Sequence, residues 1–306
     1  MRMHHFLLIC VASLTGVCEV GMSAETAPGE QTNIGEIEQL TGLKGSFNKE
    51  EGVFRVTAPR SDVPIAVDGW KMPPFMGLTS WAAFTQGKKA ESMVMGDLVL
   101  MQDEVNPVMS AALDAGLNVT ALHNHFFYDE PKVFFMHIGG EGPTEKLAAG
   151  VKSALDKVKE VRAAAPEPQK SFGEPFASEK NAITGADIEA ALGAKGQAKD
   201  GMFKVTIGRK ATMPCGCEVG NDMGVNTWAG FAGTDQNALV DGDFVVLESE
   251  LQPVLKSLRA DGINIVAIHN HMTLEEPRYV FLHYWGRGPA VELANAVKNA
   301  LNKTAR

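Results

Sequence analysis

Long apolar runs, basic clusters and cysteines are all scarce in this chain of 306 residues. No stretch approaches the roughly 20 consecutive apolar residues of a membrane-spanning helix, so we expect no transmembrane segment. The formal net charge is −9 and no run of basic residues stands out, which argues against nucleic acid or an anionic membrane as a partner. Two of the four cysteines, Cys10 and Cys18, lie in the first 24 residues, so no disulfide framework is expected.

Residues 1–24 have the pattern of a secretory signal peptide. A short basic start is followed by an apolar run over residues 6–14, and the small residues Ser23 and Ala24 precede Glu25. If cleavage follows Ala24, Met22 stands three residues before the cleaved bond, where a small residue is usual. The cleavage position therefore stays open. The pattern predicts an exported protein that is periplasmic or secreted.

The rest of the chain is a tandem duplication. Residues 119–137 read VTALHNHFFYDEPKVFFMH and residues 265–283 read IVAIHNHMTLEEPRYVFLH, at a constant offset of 146. The Gly-Asp pair at 96–97 recurs at 242–243 with the same offset. We therefore predict two repeats, residues 33–163 and 186–306, joined by a polar linker over residues 164–185. Whether the two repeats share one core stays open at this point.

Each repeat has the pattern of an α+β unit. Strand-like segments surround two or three helical ones, and the last helix of the first repeat is predicted to start at Pro143. The two histidine-bearing segments are joined by a short connection, which favours an antiparallel hairpin. The fold class is therefore a tandem duplication of a unit with a mostly antiparallel sheet and two or three helices. Trp81 and Trp228 lie in strand-like segments, and we expect them in the core.

The histidines carry the functional signal. The six outside the first 24 residues fall into two matching clusters: His123, His125 and His137, and His269, His271 and His283. Residues two apart on a strand project from one face, and the returning strand of a hairpin brings the third histidine alongside. Three neutral imidazoles on one face suit a divalent transition metal, with zinc expected and copper as the alternative. Metal-free acid–base chemistry and structural hydrogen bonding are the other interpretations.

A pair of acidic residues follows each His-x-His motif: Asp129 and Glu130 in the first repeat, and Glu275 and Glu276 in the second. A carboxylate there can act as a ligand, as a partner of a ligand or as a general base. Glu130 and Glu276 are identical in type, whereas the other two differ in length, so we predict Glu130 and Glu276 as the catalytic pair. The alternative is that all four are solvated loop residues.

Two further patterns are ambiguous. The spacing His-x-His-x4-Glu also matches the first cupin motif, but a helix is predicted before it and Met136 stands where that motif needs glycine. Cys215 and Cys217 occur in the second repeat without a counterpart in the first. They can bind a soft metal or oxidise, although a disulfide at this spacing is expected to be strained.

The paired Ala-Leu-His-Asn-His and Ala-Ile-His-Asn-His segments, the Glu-Pro after each and the Gly-Pro before the last helices resemble the LppY/LpqO-like family, domain of unknown function 1259. The resemblance covers nearly all of the chain that follows the predicted signal peptide. It implies exported bacterial proteins, some of them lipid-anchored, without an assigned activity. The chain lacks a convincing lipid-attachment motif, and no catalytic residues transfer from the family.

Three functions fit these patterns. The first is a metal-dependent enzyme, a hydrolase acting on a small-molecule substrate. The second is a protein that sequesters or delivers metal ions, and the third is a non-enzymatic ligand-binding protein of the cell envelope. Sequence alone leaves the choice, the metal, the substrate and the oligomeric state open.

Overall fold

The computed structural model describes residues 33–173 and 180–305. The predicted signal peptide, with Cys10 and Cys18, lies outside the described residues. Among the residues that are described, no helix has the length and apolar character needed to cross a membrane.

The described residues form six α-helices, three in each repeat. These are α1 (Ile34–Thr41), α2 (Val105–Asp114), α3 (Thr144–Ala164), α4 (Gly185–Leu192), α5 (Glu248–Ala260) and α6 (Ala290–Leu301). Pro143 and Pro289 stand directly before α3 and α6 in an extended conformation. Proline has no backbone N–H and is therefore unfavourable inside a helix, but it is well tolerated at the start of one. The predicted start of the last helix of the first repeat is therefore correct to one residue.

Nine strands belong to the first repeat: β1 (Gly45–Asn48), β2 (Val53–Pro59), β3 (Ala66–Val67), β4 (Trp70–Lys71), β5 (Thr79–Gln86), β6 (Ser92–Met101), β7 (Asn118–His123), β8 (Asp129–Glu130) and β9 (Val133–Gly142). Eight belong to the second: β10 (Gly196–Lys199), β11 (Met202–Gly208), β12 (Ala211–Thr212), β13 (Glu218–Val219), β14 (Asn226–Gly233), β15 (Ala238–Leu247), β16 (Asn264–His269) and β17 (Tyr279–Gly288). The α+β class with a mostly antiparallel sheet is confirmed.

One twelve-stranded sheet runs through both repeats in the order β1-β2-β5-β6-β9-β7-β16-β17-β15-β14-β11-β10. The second half of this order mirrors the first, so the repeats are related by a pseudo-two-fold axis between β7 and β16. The two strands at the axis pair antiparallel through Leu122 and Ile268. Within each repeat the two histidine-bearing strands are antiparallel neighbours, as predicted.

The six helices lie on one face of the sheet and share a core with it. Neighbouring helices pack in the order α1-α3-α2-α5-α6-α4, which mirrors itself about the same axis. A continuous set of buried apolar residues, including Val94, Val240, Leu122 and Ile268, connects the two repeats beneath these helices. The repeats therefore share one hydrophobic core, which answers the question that the sequence left open.

The opposite face of the sheet carries a small apolar lobe in each repeat. The first lobe consists of Val63, Ile65, Leu78, Val99, Met101, Val133 and Phe135. The second lobe consists of Ala211, Val219, Val225, Val245, Tyr279 and Phe281. Between the lobes, no helix in residues 33–173 and 180–305 covers the sheet, and every second residue of β5 and β14 is half-buried. This partly open face, which we call the site face, carries the histidines.

Two side-chain amides clamp the repeats together at the axis. Asn106 on α2 accepts a hydrogen bond from Ile265 N at 2.7 Å and donates one to Ile265 O at 3.1 Å. Gln252 on α5 makes the same pair of bonds to Val119, at 2.9 and 2.8 Å. Both the clamping and the clamped residues are related by the offset of 146. The clamps satisfy backbone groups that would otherwise lie unpaired at the edges of two diverging strands.

Removing either amide clamp should lower the stability of the folded protein. We expect Asn106→Ala and Gln252→Ala each to lower the free energy of unfolding by about 1–3 kcal/mol, because each substitution leaves one backbone N–H and one backbone C=O without a hydrogen-bond partner. Urea unfolding followed by circular dichroism measures this. Asn118→Ala, at an exposed position of β7, is the control and should change the stability little. Clamp variants as stable as this control would show that the amide bonds contribute nothing.

Candidate metal centre

Strand register assembles three histidines and an aspartate in each repeat. On the site face, His137 of β9 lies between Ala121 of β7 and Asp97 of β6. In the second repeat, His283 lies in the same way between Ala267 and Asp243. His123 and His269 end their strands next to Leu122 and Ile268, whose side chains enter the core, and so they project from the site face. Each repeat therefore combines three predicted histidines with an aspartate to which the sequence assigned no role.

The ligand atoms of the second cluster converge. His271 Nε2 lies 3.1 Å from His269 Nε2 and 3.1 Å from Asp243 Oδ2. In the described part of the chain, Asp243, His269 and His271 form the group whose ligand atoms all lie within 4.8 Å of one another. Two nitrogens at about 2.0–2.1 Å from a tetrahedral zinc ion stand about 3.3 Å apart. The spacing of the two imidazole nitrogens is thus close to that of a zinc ligand pair.

Backbone carbonyls orient two imidazoles of the second cluster, those of His271 and His283. His271 Nδ1 lies 3.1 Å from Gly224 O, and His283 Nδ1 lies 3.3 Å from Gly242 O. A carbonyl oxygen can only accept, so neutral rings held this way carry their proton on Nδ1 and present the lone pair of Nε2. His271 Nε2 then faces Asp243 Oδ2 as a second acceptor, and His269 Nε2 is a third in the tautomer that carries its proton on Nδ1. A cation between them would bond all three, whereas a proton on His271 Nε2 can bond only one at a time.

The burial of Asp243 also favours a positive charge next to its carboxylate. Asp243 is 2% exposed, and its Oδ1 has no hydrogen-bond partner among the described residues. Burial raises the pKa of Asp243, and the neighbouring His283, His271 and His269 act in the opposite direction. Burial also lowers the pKa of His269, against the attraction of Asp243, which favours the neutral ring that a metal requires. Among the described residues, Asp243 Oδ1 and His269 Nδ1 are both buried without a hydrogen-bond partner, so the polar groups of the second cluster are incompletely paired.

The first cluster has the same residues in a different arrangement. The rings of His123 and His125 are stacked with their centroids 5.1 Å apart, and those of His123 and His137 are 5.2 Å apart. His125 lies flat on Phe135 of the first lobe, as His271 lies on Phe281 of the second. Burial lowers the pKa of His125. Asp97 is buried, and its Oδ1 lacks a hydrogen-bond partner among the described residues. The composition matches the second cluster, but the histidines stack instead of converging.

The structure separates the four acidic residues into two kinds. Asp129 and Glu275 are buried and accept hydrogen bonds from Val133 N at 2.7 Å and Tyr279 N at 3.0 Å, so they cap the turn before β9 and β17. The Glu130 side chain is 77% exposed, with Lys170 Nζ at 3.9 Å. Glu276 is also exposed, and its backbone pairs with Thr212. The carboxylates that the fold places in register with the histidines are those of Asp97 and Asp243, and the catalytic role of Glu130 and Glu276 stays a prediction.

Trp81 and Trp228 were expected in the core, and this expectation was wrong. Both rings are half-buried on the site face, and strand register places the residues directly opposite Asp97 and Asp243. The guanidinium of Arg55 lies 4.3 Å from the Trp81 ring centroid, and the Lys204 ammonium lies 3.9 Å from that of Trp228. Such cation–π contacts restrain each ring. Each cluster is thus bordered by an accessible indole.

Cys215 and Cys217 do not present free thiols. They form a disulfide with their Cα atoms 5.4 Å apart, in the exposed turn between β12 and β13. In this form neither sulfur is a thiolate, so the pair does not supply soft metal ligands. Among the described residues, Asp243, His269 and His271 are the group whose ligand atoms lie close enough together to hold a metal ion.

A family model described as "Domain of Unknown Function (DUF1259)" matches residues 35–157 and again residues 186–303. The chain belongs to this family. The resemblance drawn from the paired motifs is thereby confirmed, and each match contains one complete histidine–aspartate cluster.

No curated protein matches the sequence. A solved structure titled "Crystal structure of a trimeric bacterial microcompartment shell protein PduB" aligns over 84% of this chain and 88% of its own, with 10% identity and a TM-score of 0.21. A likeness that weak carries no argument about fold or function.

Proposed function

We propose that the protein is a metal-dependent enzyme whose second cluster binds one divalent transition metal ion through Asp243, His269 and His271. Zinc is the expected ion and copper the alternative. The observation that carries the proposal is the convergence of three possible ligand atoms at a buried carboxylate whose Oδ1 has no hydrogen-bond partner among the described residues. Two histidines and one carboxylate also suit Fe²⁺, so iron belongs in the same metal screen.

Hydrolysis of a small molecule is the activity that this ligand set supports best. Three protein ligands leave a coordination position open, as in catalytic zinc sites. A metal held there would polarise a substrate oxygen or activate water. The chain's own residues would position the substrate: Trp228 provides a flat surface beside Asp243. Glu276, on the loop after His271, is the proposed proton acceptor.

Metal sequestration is the second candidate, and His283 favours it. Its ring stacks on His269 with the centroids 4.7 Å apart, and its Nδ1 faces a carbonyl in the same way as that of His271. If His283 Nε2 completed a four-ligand shell, the site would be closed and suited to storage. An open position would be seen as rapid binding of a small anion such as azide to the Co²⁺-substituted protein, with a change in its visible spectrum. A spectrum unaffected by azide would favour sequestration.

By repeat symmetry, Asp97, His123, His125 and His137 form a second site of lower affinity. The stacked rings must rotate before their nitrogens converge, and that movement reduces the binding free energy. We also propose export through residues 1–24, on the sequence pattern alone. N-terminal sequencing of the protein from a periplasmic fraction tests it, and an intact Met1 there would contradict it.

Elemental analysis tests the proposal most directly. We expect protein purified without a metal-affinity tag to contain metal, and the stripped protein to bind two equivalents of Zn²⁺ with unequal affinities in calorimetry. The zinc-loaded protein is then assayed with p-nitrophenyl carboxylate and phosphate esters, alongside Glu276→Gln. Hydrolysis that needs the metal and falls in Glu276→Gln supports the enzyme. Absence of both native metal and zinc uptake would instead favour a metal-free His271–Asp243 ion pair.

A further inference from the structure

A cavity of about 370 Å³ lies at the junction of the repeats, beside the second cluster. We call it the junction cavity. Val105 and Phe134 of the first repeat line it, together with Ile265, Val266, His283 and Trp285 of the second. Its volume lies within the range of about 300–1,000 Å³ that is typical of small-molecule sites. The walls are mostly apolar, so the cavity suits the apolar part of a ligand.

His283 links the cavity to the second cluster. The same imidazole lines the cavity and stacks on His269. A molecule in the cavity would therefore touch the edge of the cluster and could extend a polar end towards Asp243 and His271.

The divergence of β7 and β16 creates the cavity. The two strands pair through Leu122 and Ile268, and the register of β16 shifts between Ile265 and Ala267. This bulge turns Val266 outward, where the side chain is 45% exposed. A bulge commonly re-aims a side chain beside a functional site. Here it adds an apolar wall that contributes nothing to the core.

The first repeat lacks these walls. At the offset of 146, Gly139 replaces Trp285, Thr120 replaces Val266 and Met95 replaces Asp241. The duplication has kept both histidine clusters, but it has placed an indole, a branched alkyl group and one carboxylate around the second alone. Asp241 also lines the junction cavity, and its charge disfavours an anionic occupant. The repeats therefore differ in the residues that would select a ligand, in addition to the arrangement of the histidines in their clusters.

We propose that the junction cavity binds a neutral aryl or branched alkyl group of a small molecule whose polar end reaches the second cluster. The placement of the polar end rests on the proposed function, whereas the apolar subsite stands without it. The substrate class is then a compound with a neutral ring or branched chain next to a metal-binding or hydrolysable group.

Binding of 2-naphthol to the metal-free protein tests the apolar subsite, with 2-naphthoate as the charged comparison. We expect 2-naphthol to bind in calorimetry and 2-naphthoate to bind about tenfold more weakly or not at all. Val266→Trp fills the cavity from an exposed position and should abolish binding, and Trp285→Leu should weaken it about tenfold. Trp81→Leu, which removes an indole from the other cluster, is the matched control and should bind normally.

Hydroxamates test the link to the metal. In zinc-loaded protein, benzohydroxamate should bind at least about tenfold more tightly than acetohydroxamate, and Val266→Trp should erase this preference without changing the zinc stoichiometry. If 2-naphthol does not bind, or binds equally to Val266→Trp, the subsite is disproved whatever the zinc result. If 2-naphthol binds but benzohydroxamate has no advantage, the link to the cluster is disproved. Failure of zinc uptake alone would overturn the proposed function and leave the 2-naphthol result standing.

Discussion

His271→Ala is expected to remove one of two bound zinc equivalents and leave the other loaded. His271 Nε2 is the central atom of the second cluster, at 3.1 Å from both of the other ligand atoms. The affinity of this site should fall by more than the roughly 10–100-fold that loss of an outer-shell partner costs. Isothermal titration of stripped protein with Zn²⁺, with metal content checked by mass spectrometry, measures the stoichiometry and both affinities.

The repeat supplies the matched control. His125 stands at the corresponding position of the first repeat, and His125→Ala should remove the weaker equivalent instead. Asp243→Asn keeps the size of the side chain but removes its charge, so it should weaken the second site as His271→Ala does. Loss of both equivalents in one of these variants would mean that the clusters form a single shared site. Unchanged stoichiometry in His271→Ala would show that this residue is not a ligand.

Glu104→Ala is expected to lower the free energy of unfolding by about 3–5 kcal/mol. The Glu104 side chain is fully buried, with Arg60 Nη1 at 2.7 Å and Arg162 Nε at 2.8 Å. It also accepts a hydrogen bond from Met101 N at 2.8 Å, which closes the turn between β6 and α2. Arg60 keeps Asp62 and Arg162 keeps Asp103 as partners, but the guanidinium nitrogens that face Glu104 would be left buried without their acceptor. Urea unfolding monitored by circular dichroism measures the loss.

The corresponding pair of the second repeat should be less sensitive. Glu250 bonds to Arg209 at 2.6 Å, but the Arg209 side chain is 19% exposed, so water can solvate it when its partner is lost. We expect Glu250→Ala to destabilise the protein less than Glu104→Ala. Glu189→Ala, which breaks a pair with the exposed Lys195 and a hydrogen bond from Gly196 N, should cost about 1 kcal/mol and less than Glu104→Ala. A Glu104→Ala variant no less stable than Glu189→Ala would contradict the expected role of this network.

Sequence reasoning reached the repeat and the histidines because both are local patterns. The constant offset exposes the duplication, and the His-x-His spacing puts two imidazoles on one side of a strand end. Asp97 and Asp243 shared that offset, but each sits in a mostly apolar segment some 40 residues before its His137 or His283 partner. Only the non-local pairing of β6 with β9, and of β15 with β17, brings them together. A polar residue repeated within an apolar strand was the signal that could have identified them.

The errors and gaps have equally physical causes. Trp81 and Trp228 were assigned to the core because tryptophan in a strand usually packs inward, but no helix among the described residues covers the second face of this sheet. Which of two adjacent acids turns inward depends on the backbone of the loop, where Tyr128 and Leu274 adopt positive φ values of 57° and 65°. Sequence spacing does not encode that geometry. The shared core was also beyond sequence reasoning, since it follows from the meeting of β7 and β16.

The amide clamps bear on how this chain came to have two repeats. Because Asn106 and Gln252 make the same bonds in opposite directions, each repeat carries both halves of a self-complementary interface. Two separate copies of an ancestral repeat could therefore have associated as an isologous homodimer before their genes were fused. Fusion makes that association independent of concentration, and it frees the two sites to diverge. Trp285 and Gly139 occupy corresponding positions of the two repeats and show this divergence, since a homodimer would carry the same residue at both positions.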